Sequence, residues 1–307
     1  MPDKPAAEVD IDAALVRRLV TEQAQTIADV DTLTLGKFSE GWDSEVWRLG
    51  EAHAVRLPRR ALAAPLVLNE QRVLPLIRDR LAPLGVLVPA PLVCGVPSAG
   101  YPWAWSVVPW IDGERGLDVP RAARRDWAEP LAAALGALHV EAPADFPVNP
   151  VRGRPLATRD QAFQDRLATV QAAGALDAAA TDSLTTVWHR GLHSSDWGAP
   201  PVWIHGDLHP GNLVSSDGAL AGIIDFGDVT AGDPAYDLAV AWLAFDTGGR
   251  ARFIAATGDR YDVATWRRAH AWAAAVALML VVHSDDNPDY FTLGTDAVTQ
   301  VLADAPA

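Results

Sequence analysis

Three residue types are nearly missing from this chain of 307 residues: it holds one cysteine, two methionines and two lysines. With Cys94 alone no internal disulfide can form, which excludes a disulfide-stapled extracellular scaffold. Positive charge is also scarce. Lys and Arg total 25 against 39 Asp and Glu, a formal net charge of −14. A surface of that sign repels phosphate backbones, so a nucleic-acid partner is not expected, whereas a cationic small molecule is. Long apolar runs are lacking too. The longest, Ala271 to Val282, falls short of the roughly 20 residues of a membrane span and reads as a buried helix, so no membrane partner is expected. The N-terminus, Met1-Pro-Asp-Lys-Pro, has no basic segment followed by an apolar stretch, and a cytoplasmic location is expected.

What the chain does have is the balance of a packed globular protein. Half of it is apolar, 21% is charged, and tryptophan is its commonest aromatic with 12 copies. Its length suits one large domain or two joined lobes. The charge is uneven: residues 1–111 carry 13 acidic and 11 basic side chains, so the remaining 196 carry 26 and 14, a net of −12.

Periodicity divides the chain the same way. Ile11, Leu15, Leu19 and Ile27 recur at helical spacing. Leu33, Leu35, Val46, Trp47, Leu49, Val55 and Leu57 then fall in short runs broken by Gly36, Gly41, Gly50 and Pro58, the pattern of three antiparallel strands. A helix follows over Leu66 to Leu81, with Pro75 set against its second half. Two further strands, Leu92-Val93-Cys94 and Trp103 to Val108, complete a small five-stranded sheet by residue 110. Beyond Gly113 the periods are mostly helical: Arg121 to His139, Arg159 to Gln171, Ala178 to Leu192 and three segments after Pro234. The expected class is α+β, with a sheet-bearing region 1–110 that clamps a nucleotide and a mostly helical catalytic region 111–307.

One interruption of the helices carries the chemistry. His205-Gly206-Asp207-Leu208-His209-Pro210-Gly211-Asn212 is followed across an Asp217-Gly218 turn by Asp225-Phe226-Gly227, reading H-x-D-x-x-x-x-N and then D-F-G. In phosphoryl transfer an aspartate accepts or orients the proton of the attacking hydroxyl. An asparagine oxygen and a second carboxylate hold magnesium on the nucleotide phosphates. Asp207, Asn212 and Asp225 fit those parts, and the hairpin between them gives a reason for the spacing. Taken singly, the same residues are ordinary turn and strand-end residues. The pair His205 and His209 also has the four-residue separation of a zinc site, but that site needs a helix, which Gly206, Pro210 and Gly211 oppose. His205 reads as a buried support of the loop. The role of His209 is left open by the pattern.

The sheet is expected to supply the nucleotide clamp. Ser39-Glu40-Gly41-Trp42-Asp43-Ser44 lies at the first turn, where backbone N–H groups, Gly41 and the hydroxyls of Ser39 and Ser44 can cap phosphates; a plain hairpin turn would look the same. A cation is also needed against the phosphates. Ala54-Val55-Arg56-Leu57 offers Arg56, and Glu70 on the next helix is its expected partner.

These motifs, together with Gly232-Asp233-Pro234-Ala235-Tyr236-Asp237-Leu238, resemble the aminoglycoside phosphotransferase family over roughly Leu33 to Leu243. The resemblance implies a protein-kinase-like two-lobed fold that moves the γ-phosphoryl of ATP or GTP to a small-molecule hydroxyl, with Mg2+ as cofactor. Carried over by position, it makes Asp207 the base, Asn212 and Asp225 the magnesium ligands, and Asp233 and Asp237 structural supports. A hinge near Val107 to Ile111, including Val108 and Trp110, would bind the base through backbone groups. Arg56 departs from the lysine of many members, and Ala54-Val55-Arg56-Leu57-Pro58-Arg59-Arg60 looks like a variant seen in macrolide phosphotransferases. Ser39 to Ser44 instead resembles members that act on the 2″-hydroxyl and often take GTP.

An aminoglycoside-like antibiotic is the favoured acceptor, with Asp246, Asp285 and Asp286 as expected contacts for its ammonium groups. A macrolide would need an aromatic pocket, for which Trp197, Trp242, Trp266, Trp272, Tyr290 and Phe291 are available. The same motifs also suit a kinase of a small hydroxylated metabolite, or a nucleotide-binding regulator that is catalytically silent.

Overall fold

The computed structural model describes residues 5–98, 100–284 and 287–305. Its contacts divide the chain into two compact units, 2–112 with 222–227, and 113–221 with 228–307. Among the described residues no helix is long and apolar enough to cross a membrane.

The N-terminal unit begins with helix α1 (Ala13–Gln23), whose first turn is closed by the Asp12 carboxylate accepting from the Leu15 N–H at 2.7 Å. Strands β1 (Leu35–Glu40), β2 (Ser44–Leu49) and β3 (His53–Pro58) follow, then helix α2 (Ala64–Leu81) and strands β4 (Val93–Gly95) and β5 (Trp105–Pro109). All pairings are antiparallel and the order is β1-β2-β3-β5-β4. One side of the sheet shares a core with α1: Leu15, Val16, Leu19 and Val20 join Trp47, Leu49, Val55, Leu57, Trp105 and Val107. Helix α2 is tied to β5 by Gln71, whose side-chain amide donates to the Trp105 carbonyl at 2.9 Å and to Ser106 Oγ at 3.1 Å. Pro75 does not break α2, which runs on to Leu81. Its ring costs about 3 kcal/mol in a helix interior. Burial of Val73, Leu74, Ile77 and Leu81 outweighs that at about 1.5–3 kcal/mol each.

The C-terminal unit starts with the two-residue strand β6 (Glu114–Arg115) and a 3₁₀ segment, Arg121–Trp127, that leads into α3 (Ala128–Leu138). Helices α4 (Asp160–Ala172) and α5 (Ala178–Leu192) follow, then strands β7 (Val202–Ile204), β8 (Leu213–Ser216), β9 (Ala219–Ile223) and β10 (Thr230–Gly232). The turn joining β8 to β9 has positive φ at both Asp217 (51°) and Gly218 (80°), the geometry a two-residue hairpin requires. Within β9, at Gly222, the chain enters the N-terminal unit, where the Ile223 N–H donates to the Leu87 carbonyl at 2.9 Å.

Among the described residues five helices, not the three expected, follow β10: α6 (Ala235–Leu238), α7 (Val240–Ala244), α8 (Thr247–Ala256), α9 (Val263–His283) and α10 (Pro288–Ala303). Short breaks account for the difference. The chain turns extended at Phe245, and Asp246 caps α8 by accepting from the Gly249 N–H at 2.9 Å. Helix α9 is the buried helix that the apolar run implied, with Ala271 to Leu278 all inside. Small residues let its neighbours approach. A Cβ on Gly191 of α5 would lie 2.4 Å from that of Ala271, and one on Gly294 of α10 would lie 2.8 Å from that of Leu280.

His270 of α9 stacks on Trp242 at 4.5 Å between ring centroids, and its Nε2 lies 3.0 Å from the Val301 carbonyl. Burial, only partly offset by that carbonyl, lowers its pKa to about 4. A histidine held neutral in the fold charges first in the unfolded chain, so its contribution is complete above about pH 6.5 and is lost as pH falls towards 4. We predict that the urea midpoint falls over this window and that His270→Phe, which keeps the stacking and cannot titrate, flattens the dependence.

Candidate active site

The loop after β7 is built around a buried carboxylate. Asp237 of α6 has no exposed surface and receives two consecutive backbone donors, the His205 N–H at 2.7 Å and the Gly206 N–H at 3.0 Å. His139 adds a third contact, its Nε2 lying 3.1 Å from the same carboxylate, while its Nδ1 lies 2.7 Å from the Tyr261 hydroxyl. Only one tautomer serves both neighbours well: Nε2–H donates to Asp237 and Nδ1 accepts from Tyr261. Gly206 has φ 84°, and a Cβ there would meet the Asp228 carbonyl oxygen at 2.4 Å, so the loop can be drawn in only with glycine at this point. Asp233 is fixed by Arg268, whose Nε donates at 2.6 Å, and it also accepts from the Ala235 N–H at 3.0 Å.

The polar residues of the loop then have defined partners. The fully buried His205 accepts the Asp207 N–H on Nδ1 at 3.2 Å. His209 accepts the Gly211 N–H on Nδ1 at 3.0 Å, which leaves its proton on Nε2, 3.6 Å from Asp207 Oδ2. Both histidines lie in irregular backbone and serve the loop. The Asn212 amide donates to the Asp207 carbonyl at 2.8 Å, which orients its oxygen as the remaining acceptor. Asp207, about one third exposed, also receives Arg152 Nη2 on Oδ1 at 3.2 Å. Burial alone would raise this carboxyl, but His209, Arg152 and His205 more than offset it and hold it below the usual carboxylate range. Arg152, in the 139–159 connection, carries no sequence signal that would have singled it out. Tyr290, whose ring meets His209 edge-on at 5.3 Å, was legible only as one aromatic among many.

A second cluster forms within the N-terminal unit. Arg56 of β3 meets Glu70 of α2 at 3.2 Å and Asp225 at 2.7 Å. Burial would lower the guanidinium pKa, but Glu70, Asp225 and Asp43 outweigh it and raise it. Asp225 is left-handed, with φ 60°, a conformation that aspartate tolerates better than most residues. The buried Phe226 next to it anchors the turn. The turn of Ser39, Gly41 and Ser44 is braced by two arginines. Arg59 donates to the Gly41 carbonyl at 3.1 Å and meets Glu40 at 2.9 Å, and Arg60 meets Asp43 at 2.5 Å. The Gly41 N–H is already spent on the Ser44 carbonyl at 2.9 Å. Val108 pairs with Ala54 in the sheet, and Trp110 donates its N–H to the Ala52 carbonyl at 2.8 Å while its ring carries Arg48 at 3.8 Å.

The structure thus brings Asp207 and Asn212 together in one unit, and Arg56, Glu70 and Asp225 in the other. Asp246 is engaged as the α8 cap and by Arg125 at 2.6 Å, and Asp285 and Asp286 lie outside the described residues. Of the aromatics available to a macrolide, Trp242 and Trp272 are buried in the helical core, Trp272 against Tyr236.

An antiparallel sheet bearing an Arg–Glu pair, with a helical unit presenting an H-x-D-x-x-x-x-N loop, is the make-up of a kinase-type phosphotransferase. The sequence matches the model of the phosphotransferase enzyme family over residues 34–272, and the chain belongs to that family. No curated protein matches it. Among solved structures, the GDP and kanamycin complex of APH(2″)-IIia superposes with a TM-score of 0.66 at 20% identity, covering 94% of this chain and 98% of that one. The GDP complex of wild-type aminoglycoside 2′-phosphotransferase-IIIa gives 0.67 at 19%, covering 95% and 99%. A macrolide 2′-phosphotransferase type I gives 0.60 at 22%, covering 97% and 99%. The fold is the α+β, kinase-like one of those enzymes.

Asp237→Ala leaves two buried backbone N–H groups and the His139 ring N–H without an acceptor, and it is predicted to cost about 1–3 kcal/mol of unfolding free energy for each buried donor left unsatisfied. Asp233→Ala instead strips the buried Arg268 guanidinium of its carboxylate and is predicted to cost about 3–5 kcal/mol, as for other buried charges left without their partner. Chemical denaturation of both variants measures the difference.

Proposed function

We propose that this protein transfers the γ-phosphoryl group of ATP or GTP to a hydroxyl of an aminoglycoside-like antibiotic. The observation that carries the proposal is the Asp207 carboxylate. It is ionised, partly open to solvent and held by Arg152 beside an asparagine whose amide is pinned to the Asp207 carbonyl. In this reading Asp207 orients the acceptor hydroxyl and takes its proton as the O–P bond forms. Arg56, kept in place by Glu70, draws charge from the nucleotide phosphates. Ser39, Gly41 and Ser44 border the phosphates, and the backbone around Val108 and Trp110 meets the base.

Asn212 and Asp225 are the residues that would hold magnesium. An amide oxygen and a carboxylate are hard donors, and magnesium takes one or two protein groups and completes its shell with phosphate oxygens and water. When bound, the ion offsets charge developing on the phosphates. The surroundings of Arg56 favour such a partner. Glu70 and Asp225 share one guanidinium, Asp43 being paired with Arg60, so negative charge is in excess at Arg56 before any nucleotide arrives, and a bare triphosphate would add to it.

For the acceptor, the net −12 beyond residue 111 favours a polycation, and Asp285 and Asp286 remain the proposed contacts. Asp246 is retained as a weaker candidate, since a ligand would have to compete with Arg125. A macrolide acceptor is the second reading, favoured by the local pattern Ala54 to Arg60.

Purified protein incubated with ATP or GTP against aminoglycosides, macrolides and small hydroxylated metabolites tests the proposal, the readout being a phosphorylated product. Failure to phosphorylate any of them would overturn it. Asp207→Asn is expected to lower turnover about 10²–10⁴-fold while nucleotide binding survives. Asp225→Asn should weaken magnesium-dependent nucleotide binding and turnover together, and Arg56→Lys should be tolerated better than Arg56→Ala. Salt separates the two acceptors. KM for a multiply charged aminoglycoside should rise clearly with ionic strength, whereas KM for a macrolide should hardly change.

A further inference from the structure

We infer that Arg152 is a positioning residue for phosphoryl transfer, holding the Asp207 carboxylate in the orientation that receives the acceptor hydroxyl. The inference rests on the phosphotransfer reading above. It starts from how thoroughly the guanidinium is constrained. Arg152 Nη2 donates to Asp207 Oδ1 at 3.2 Å, Nη1 to the Tyr236 hydroxyl at 2.8 Å, and Nε to Asp228 Oδ2 at 3.3 Å. Three directions of one planar fork are taken by three different residues. The side chain is only 16% exposed.

The segment carrying Arg152 is equally fixed. Asn149 Oδ1 accepts from the backbone N–H groups of Val151 and Arg152 at 2.8 and 3.0 Å. Its amide donates to Asp228 Oδ1 at 2.7 Å, and its own N–H donates to Thr230 Oγ1 at 2.8 Å. Gly153 lies so close to β10 that a Cβ there would meet the Ala231 carbonyl at 2.7 Å. Asp228 therefore holds both ends of the device, the asparagine that shapes the turn and the arginine that the turn presents. Tyr236 sits one residue from the Asp237 that anchors the catalytic loop, so the loop and the arginine are referenced to the same short helix, α6.

The geometry also explains why an arginine is needed. Asp207 and Asp228 are two carboxylates facing one guanidinium, and a lysine can offer charge but not three coplanar donors in fixed directions. Asp207 Oδ1 is held by Arg152 and Oδ2 lies toward His209, so the plane of the carboxylate is set from both sides. In phosphoryl transfer that plane decides whether the acceptor oxygen lies in line with the phosphorus, and a misplacement of about 1 Å can cost on the order of 10²-fold in rate.

The test is a double-mutant cycle with a structural arm. Arg152→Met is expected to lower kcat about 10–10²-fold with KM for nucleotide unchanged, and Arg152→Lys to recover only part of the loss. In an Asp207→Asn background, Arg152→Met should cost nearly nothing further, because a residue acting through Asp207 has nothing left to position. A full additional loss there, or a nucleotide KM that rises in step with the fall in kcat, would overturn the inference. The second arm is a crystal structure of the folded Arg152→Met or Arg152→Lys variant. The Asp207 carboxylate should rotate or occupy more than one conformer, and an unchanged single conformer would overturn the inference whatever the substrate proves to be. If the wild-type protein phosphorylates no acceptor, the functional proposal fails by itself, and the crystal structures still decide what Arg152 does to Asp207.

Discussion

The C-terminal unit depends on a negative charge that never sees water. Asp237 takes the backbone N–H groups of His205 and Gly206 and the ring of His139, and these contacts close the chain into the loop on which Asp207 and Asn212 stand. Burying a carboxylate is costly unless its acceptor sites are filled. Here they are filled by groups that cannot be displaced without unwinding β7 or moving α3. The site is thereby held by backbone and by elements far apart in sequence, so the positions of Asp207 and Asn212 do not rely on flexible side chains alone. Gly206 is the steric counterpart of this electrostatic anchor, because any larger residue would collide with the Asp228 carbonyl.

The N-terminal unit solves the opposite problem. Its key charge is a cation, and acid surrounds it. Arg56 is shared between Glu70, which arrives on α2, and Asp225, which arrives by way of β9 from the far end of the β8–β9 hairpin. The first contact orients the guanidinium from within the sheet-and-helix layer. The second ties it to Asp225, so strand β3, helix α2 and the turn after β9 meet at one side chain. The β1–β2 turn shows the same economy of positive charge, with Arg59 and Arg60 committed to bracing Glu40, Asp43 and the Gly41 carbonyl. In a chain with only two lysines, arginine supplies nearly every buried cation. Its planar fork lets one side chain serve several partners.

The site is a set of charge pairs joined across long sequence separations, and that is why it divides cleanly into what was and was not legible. The H-x-D-x-x-x-x-N loop, the Asp217-Gly218 turn and D-F-G are local patterns, each dictated by backbone chemistry within a few residues, and the sequence carries them openly. The Arg56–Glu70 pairing was legible as well, because a strand followed directly by a helix leaves few partners. The period of the apolar residues likewise determined the five-stranded sheet, α1, α4, α5 and the buried α9.

Tertiary structure decided the rest, for physical reasons that no local pattern encodes. Pro75 argues locally for a break, and only the burial of the α2 stripe overrules it. Asp246 reads as a free acidic residue until the chain turning at Phe245 makes it a helix cap facing Arg125. Arg152 lies in a stretch with no periodicity, and its role arises from the docking of the turn at Asn149 onto Asp228 and Tyr236, some 80 residues away. Short-range spacing determines which groups can do chemistry. Which charges meet, and which are left to face a substrate, is determined by long-range packing, because the strength of an ionic contact depends on burial that the sequence alone does not specify.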